Sequence, residues 1–279
     1  MTAFDRLHPA LQHHIVNSLG WSELREVQSL SIDAYFTGAN FVILAPTAGG
    51  KTESVFFPMI SQMLTEGWQG ISVLYISPIR ALLNDQEQRL HQYFELVGRR
   101  AGCWHGDTSR GIRKKTLTDP PDCLLTTPES LEAILVSSRI DHRVFFKNIR
   151  AVVIDELHAF AGDDRGWHLL SVLSRIRRLA GRDLQRIGLS ATVGNPVEML
   201  SWLSSGSERQ RQVVSPAPVV AQIPDVQLDY VGSLHNAAKV ISMLHGGEKR
   251  LVFCDSRSRV EELAMRLRER EVRCPGADG

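Results

Sequence analysis

Residues 41–52, FVILAPTAGGKT, have the residue types needed to hold a polyphosphate. The apolar, β-branched start reads as a buried strand. It breaks at Ala45-Pro46 into a loop of small residues that closes with Gly49-Gly50-Lys51-Thr52, and an amphipathic run follows from Glu53. A strand, a Gly-rich loop and a helix start, in that order, are the context a phosphate-binding loop needs. Thr47, Ala48, Gly49 and Gly50 are the candidate cradle, because small residues let backbone N–H groups approach phosphate and the helix N-terminus favours negative charge. Lys51 would reach the β- and γ-phosphates, and the Thr52 hydroxyl would bind Mg²⁺. Ala45 stands where the pattern usually has its first glycine. The competing reading is an ordinary strand–helix turn with a solvated lysine.

Three further sites could complete such chemistry. Asp155-Glu156 follows the apolar run AVVI. Here an Asp can hold Mg²⁺ and a Glu can orient or deprotonate an attacking water; a solvated acidic turn is the alternative. Ser190-Ala191-Thr192 follows RIGL and could hydrogen-bond the 155–158 turn, or could simply cap a helix. The Gln28 carboxamide can pair with adenine N6 and N7, or can be an exposed helix residue. Two more strand ends, PIRALLNDQ (78–86) and TTPE (126–129), offer hydroxyls and helix-start N–H groups suited to a nucleic-acid backbone. The basic clusters Arg110, Arg113, Lys114, Lys115 and Arg175, Arg177, Arg178 read better as solvated faces than as nucleic-acid contacts.

Positioning these groups requires a sheet with them along one rim, and the chain alternates strand and helix accordingly. Strands are predicted at 71–77, 100–105, 123–127, 151–154 and 186–190. Helices are predicted at 9–19, 21–36, 79–97, 109–117, 129–137, 166–180 and 196–204. Strands separated by helices imply βαβ crossovers and a parallel sheet covered on both faces, with ligands at the carboxyl ends of the strands. Residues 213–225, with Pro216, Pro218 and Pro224, read as an extended linker. Beyond it come a helix at 235–244, a strand at 250–255 and a helix at 257–270.

The 279 residues carry a net charge of +1, so any nucleic-acid or membrane affinity must be a local patch. The four cysteines form no C-x-x-C pair, which argues against a zinc site or disulfide framework and fits a reducing compartment. Cys103, Cys123 and Cys254 sit in apolar runs, so burial is expected for them. No signal-peptide layout or membrane-length apolar run is present. A cytoplasmic protein without a membrane partner is expected.

APTAGGKT, PIRALLNDQ, TTPES, DELH, SAT and LVFCDSR stand in the order found in superfamily 2 DExH helicases. The stretch DELHAFAGDDRGWHL resembles the large helicase-related (Lhr) group. The resemblance implies an α/β fold: a RecA-like P-loop NTPase domain over 1–213, a linker over 214–225, and an incomplete second RecA-like domain over 226–279. It implies ATP and Mg²⁺ as cofactors and single-stranded nucleic acid as partner, with DNA favoured over RNA and DNA repair suggested by analogy. By the same resemblance Lys51 and Thr52 bind phosphate and Mg²⁺, Asp155 is the metal ligand, and Glu156 is the catalytic base. His158, Ser190 and Thr192 couple ATP state to domain closure, and Gln28 reads adenine, although Glu26 stands where proline is common. Ser77, Pro78, Arg80, Thr127 and Pro128 hold the nucleic-acid backbone. Ser256 and Arg257 open the motifs of the second domain.

Members of that family also need second-domain arginine fingers, which nothing after Arg257 supplies. Such a finger contributes about a thousandfold or more in phosphoryl transfer. The expectation is therefore weak ATP–Mg binding with poor turnover by this chain alone, as a truncated product, a fragment, or half of a split helicase completed by a second chain. The alternatives are a non-catalytic RecA-like module that binds nucleic acid or protein, and a P-loop kinase or small NTPase. LVFCDSR after the linker speaks against the last.

Overall fold

The computed structural model describes residues 2–46, 49–191, 193–217, 226–244, 247–270 and 272. The chain forms two compact units, Met1–Pro218 and Val219–Gly279.

The first unit is built on seven strands: β1 (Asn40–Leu44), β2 (Val73–Ile76), β3 (Ala101–Trp104), β4 (Cys123–Thr126), β5 (Ala151–Ile154), β6 (Gln185–Ser190) and β7 (Arg211–Val214). They make one sheet in the order β3-β4-β2-β5-β6-β1-β7, with every pairing parallel. Its helices are α1 (Pro9–Asn17), α2 (Glu26–Phe36), α3 (Lys51–Glu66), α4 (Arg80–Glu95), α5 (Arg110–Thr118), α6 (Pro128–Leu135), α7 (His142–Phe146), α8 (Asp164–Ala180) and α9 (Pro196–Leu203). The second unit has α10 (Leu234–Met243) and α11 (Arg257–Arg268).

The near-continuous apolar runs of the strands follow from burial on both faces. Successive strand side chains point to opposite faces, and the core divides accordingly. Phe41, Ile43, Val73, Tyr75, Val153 and Ile187 join one apolar cluster with α1–α4. Val42, Leu44, Leu74, Ile76, Val152 and Ile154 join the other with α6–α9. The register aligns Leu44 with Ser190, Ile76 with Ile154, and Ile76 with Thr126. The residues that follow these positions therefore share one rim.

Several sequence expectations need correction. Against a linker beginning at 213 or 214, Val213 and Val214 belong to β7, which pairs with β1. The strand order leaves one edge of β1 open, and backbone hydrogen bonding closes it whatever the side chains. Arg211 and Gln212 stay exposed, so no apolar pattern marks the strand. Helix α2 starts at Glu26 rather than near Ser22, because Gln28 Oε1 accepts the Arg25 N–H at 2.9 Å and ends the preceding turn there. Helix α7 is not marked by the sequence pattern; Asp141 caps it by accepting from the Arg143 and Val144 N–H groups.

In the second unit, α10 and α11 pack through Ala238, Leu263 and Leu267. The strand expected at 250–255 is not formed, and Leu251 and Phe253 are 80% and 85% exposed. A strand needs a neighbour for its backbone groups, and the described residues of this unit contain no other strand. Cys103 and Cys123 are buried as expected, whereas Cys254 in that apolar run is only half-buried.

Candidate functional site

The loop after β1 delivers Gly50 to the N-cap of α3 with φ +83°, a left-handed conformation that suits glycine. A Cβ at Gly49 would lie 2.9 Å from the Pro46 carbonyl oxygen, and one at Gly50 2.8 Å from Gln28 Nε2. Both glycines are thus required by close approach. The Lys51 side chain is buried and its Nζ donates to the Ala45 carbonyl at 3.0 Å. Thr52 Oγ1 donates to Gln86 Oε1 of α4 at 3.3 Å. Thr47 and Ala48 lie outside the described residues.

Asp155 leaves β5 at the same rim. Its Oδ2 accepts from the Tyr75 hydroxyl and its Oδ1 from the Glu156 N–H at 3.0 Å. Burial raises the Asp155 pKa, while the Tyr75 hydrogen bond and the nearby Lys51 charge oppose the rise. Glu156 has φ +45°, and it alone among the described non-glycine residues has a positive φ. A side chain held in that region is strained, and such strain gathers at functional sites. The turn aims Glu156 toward His158, whose Nδ1 lies 3.4 Å from Glu156 Oε2 and 3.2 Å from Ser190 Oγ at the end of β6. One imidazole nitrogen therefore connects the acid after β5 to the hydroxyl ending β6. Thr192 lies outside the described residues.

Gln28 is buried, so the exposed-helix alternative fails for it. It lines a cleft of about 150 Å³ together with Gly50, Lys51, Thr52, Glu53, Gln86 and Glu156. The structure thus gathers residues from α2, the β1–α3 loop, α4 and the end of β5 around one space. Sequence reasoning missed three of the site's neighbours. Tyr75 sits in a strand run where a lone phenol must find a hydrogen-bond partner, a signal that was available. Gln86 belongs by sequence to the candidate nucleic-acid segment but turns toward Thr52. Glu53 shows in the sequence only as the start of a helix, yet it lines the cleft.

The candidate nucleic-acid residues separate. Ser77 and Pro78 are buried, and Ser77 Oγ donates to the Ile79 carbonyl at 3.3 Å. Thr127 caps α6 by accepting from Ser130 N–H at 3.3 Å, with Pro128 buried behind it. Arg80 is exposed and pairs with Asp107 at 3.0 Å. A second cavity of about 430 Å³ is lined by Pro78, Arg80, Trp104, His105, Thr127 and Arg165. The basic clusters are partly engaged by the protein itself. Arg113 donates to the His105 and Gly106 carbonyls, Arg175 pairs with Glu132, and Arg177 donates to the Gly206 carbonyl. In the second unit Ser256 caps α11 by accepting from Arg259 N–H, and Arg257 is exposed beside it.

A parallel sheet in this order, with helices on both faces and motif-bearing loops along its carboxyl rim, is the fold of RecA-like helicase cores. The chain belongs to the DEAD/DEAH box helicase family, whose model matches residues 25–200. It is 34% identical to the Lhr helicase/probable uracil glycosylase of Mycolicibacterium smegmatis, over 83% of this chain and 17% of that protein. It is 30% identical to the ATP-dependent helicase Lhr-Core of Methanothermobacter thermautotrophicus, over 90% of this chain and 32% of that one. The structure of Mycobacterium smegmatis helicase Lhr bound to ssDNA and AMP-PNP superposes with a TM-score of 0.80 at 30% identity, covering 97% of this chain and 37% of that one. The chain therefore spans a third or less of these two curated relatives. No described helix is long and apolar enough to cross a membrane.

Proposed function

We propose that this chain is the ATP-binding motor portion of a nucleic-acid helicase or translocase. The observation that carries the reading is the convergence of Lys51, Thr52 and Glu156 on one cleft, with Asp155 close enough for the Lys51 charge to act on it. The glycine loop offers N–H groups and the start of α3 to a triphosphate. Lys51, bound to the Ala45 carbonyl in the structure, would exchange that partner for phosphate oxygens.

The Thr52 hydroxyl and the Asp155 carboxylate fit Mg²⁺, which is held by one or two carboxylates plus substrate phosphates rather than by an all-protein cage. Bound there, Mg²⁺ would neutralise charge on the phosphates. Glu156 would orient the attacking water and take its proton. His158 would sense the change through Glu156 and pass it to Ser190.

Single-stranded nucleic acid would lie along the cavity bordered by Pro78, Arg80 and Thr127, with Ser77 and Pro128 shaping its backing loops. DNA is favoured over RNA, because the similar Lhr structure is described with ssDNA. Residues 226–279 are read as elements of a second RecA-like domain, with Ser256 and Arg257 in its opening motif. The free, buried thiols of Cys103 and Cys123 support a reducing, cytoplasmic setting.

The test compares binding of a fluorescent ATP analogue and ATP turnover, with and without single-stranded DNA, for the chain and for Lys51→Ala. Mg²⁺-dependent binding that falls tenfold or more in the variant supports the reading. Binding that Lys51→Ala leaves unchanged sinks it. Lys51-dependent binding without turnover in any condition would favour the non-catalytic module.

A further inference from the structure

The cleft holds two buried polar atoms without hydrogen-bond partners, Gln28 Nε2 and Glu53 Oε2. Both residues are only 1% exposed. Most buried polar groups in native proteins are satisfied, so two orphans in one cleft require an explanation. Both atoms lie near Gly50: a Cβ there would be 2.8 Å from Gln28 Nε2 and 3.6 Å from Glu53 Oε2, so any larger residue at that position would crowd them.

Each side chain is clamped by its other polar atom. Gln28 Oε1 accepts the Arg25 N–H at 2.9 Å. Glu53 Oε1 accepts the Tyr93 hydroxyl at 2.6 Å and forms an ion pair with Arg89. Burial, with Glu53 beside it, pushes the Tyr93 phenol up to about 12, so it stays a donor. The Arg89 charge lets the carboxylate be buried without a further cation. Gln28 must therefore present an N–H₂ donor and Glu53 an acceptor-only oxygen. An acceptor-only oxygen has no proton to donate to a phosphate oxygen, so the free Glu53 oxygen requires a donor as its partner.

We propose that Glu53 is a specificity residue of the nucleotide site: its free oxygen accepts the adenine 6-amino group while Gln28 Nε2 donates to N7. The inference rests on the nucleotide reading above. Adenine presents an N7 acceptor next to an N6 donor, whereas guanine presents two acceptors, N7 and O6. The Gln28–Glu53 pair complements the first pattern. Against the second it sets a carboxylate oxygen facing a carbonyl oxygen. A site built to hydrogen-bond a substrate N–H rejects an analogue lacking it, because its own buried group is then left unpaired.

The experiment measures displacement of a labelled ATP analogue by ATP, purine riboside triphosphate (no 6-amino group), GTP, 7-deaza-ATP and 2′-deoxy-ATP, for the unmodified chain and for Glu53→Gln. The expected result has three parts. Removing the 6-amino group weakens binding to the unmodified chain about tenfold or more. In Glu53→Gln that penalty and the ATP-over-GTP preference both shrink severalfold. The 7-deaza penalty, which reports Gln28, stays the same in both proteins.

The proposal is overturned if purine riboside triphosphate binds the unmodified chain as tightly as ATP, a result that needs no variant to fold. It is also overturned if the 6-amino penalty survives Glu53→Gln, or if the Glu53 dependence follows the ribose 2′-hydroxyl instead. A melting curve shows that Glu53→Gln is folded. Nucleotide binding that is real and Lys51-dependent but indifferent to Glu53 defeats this inference alone, whereas no Lys51-dependent binding defeats the nucleotide reading itself.

Discussion

The Tyr75 phenol on β2 donates to Asp155 Oδ2 at the end of the neighbouring strand β5. It is a hydrogen bond between buried side chains, and it steadies a carboxylate whose pKa burial raises. A group raised in the folded state adds stability while protonated and loses it as pH climbs through its folded value. Tyr75→Phe removes the donor and should raise the Asp155 pKa further. At neutral pH the variant should lose about 1–3 kcal/mol of stability. That loss should shrink as pH falls through the folded pKa of Asp155. Urea unfolding at a series of pH values reads both. Mg²⁺-dependent nucleotide binding should weaken in parallel.

Gly166, in the first turn of α8, is pressed against the turn that follows Glu156. A Cβ there would sit 2.0 Å from the Phe160 carbonyl oxygen and 2.9 Å from the Trp202 ring. Backbone cannot yield as a flexible side-chain tip can. Gly166→Ala should therefore destabilise by about 1–3 kcal/mol, the usual cost of overpacking, despite the better helix propensity of alanine. Thermal melting of the variant checks this. An unchanged or higher melting temperature would refute the steric argument.

Arg165 ties three segments of the rim together. Its Nη2 donates to the Pro78 carbonyl at 2.8 Å, its Nε pairs with Glu129 at 2.7 Å, and its guanidinium lies over the Phe160 ring at 5.5 Å. Arg165→Gln should leave ATP-analogue binding near the parent value and weaken single-stranded DNA binding several-fold. Fluorescence anisotropy with a labelled oligonucleotide measures the second, and analogue titration the first. Equal losses in both would mean a general structural defect. Lysine should rescue poorly, because it lacks the fork that bonds two partners at once.

Glu132 of α6 is held by α8, accepting from Arg175 Nη1 at 3.0 Å and lying 3.2 Å from His168 Nε2. The Arg175 hydrogen bond holds its carboxyl below the ordinary glutamate value of 4.5. A depressed carboxylate adds stability above its unfolded pKa and loses it as pH falls through the folded one. Both side chains are about a third exposed, so the contribution is only about 0.5 kcal/mol. Glu132→Gln should cost that much at pH 7 and nothing once pH is below the folded pKa. Paired denaturation curves at pH 7 and at acid pH test the sign.

Some of this was legible in the chain as written. β1, β2, β4 and β5 announce themselves because burial on both faces favours near-continuous apolar runs. Asp155 and Glu156 were readable because they directly follow such a strand, and Lys51 and Thr52 because a Gly-rich loop joins them to one; parallel strands end on a common rim. The reverse failure is as instructive. The run at 250–255 looks like β5 in composition, yet it forms no strand, because a strand exists only with a neighbour to take its hydrogen bonds. β7 looks like nothing in composition and forms because β1 had an open edge.

The sequence by itself determined the alternation of β1 to β6 with the longer helices between them, and which strand ends bear reactive groups, since both follow from local pattern and covalent adjacency. Only the tertiary structure decided that Tyr75 would meet Asp155, that Gln86 would turn to Thr52, and that Gln28 and Glu53 would face one gap across Gly50. Those meetings depend on sheet register and on how α2, α3 and α4 pack over the rim. They are relations between distant segments, and a one-dimensional pattern does not encode their distances.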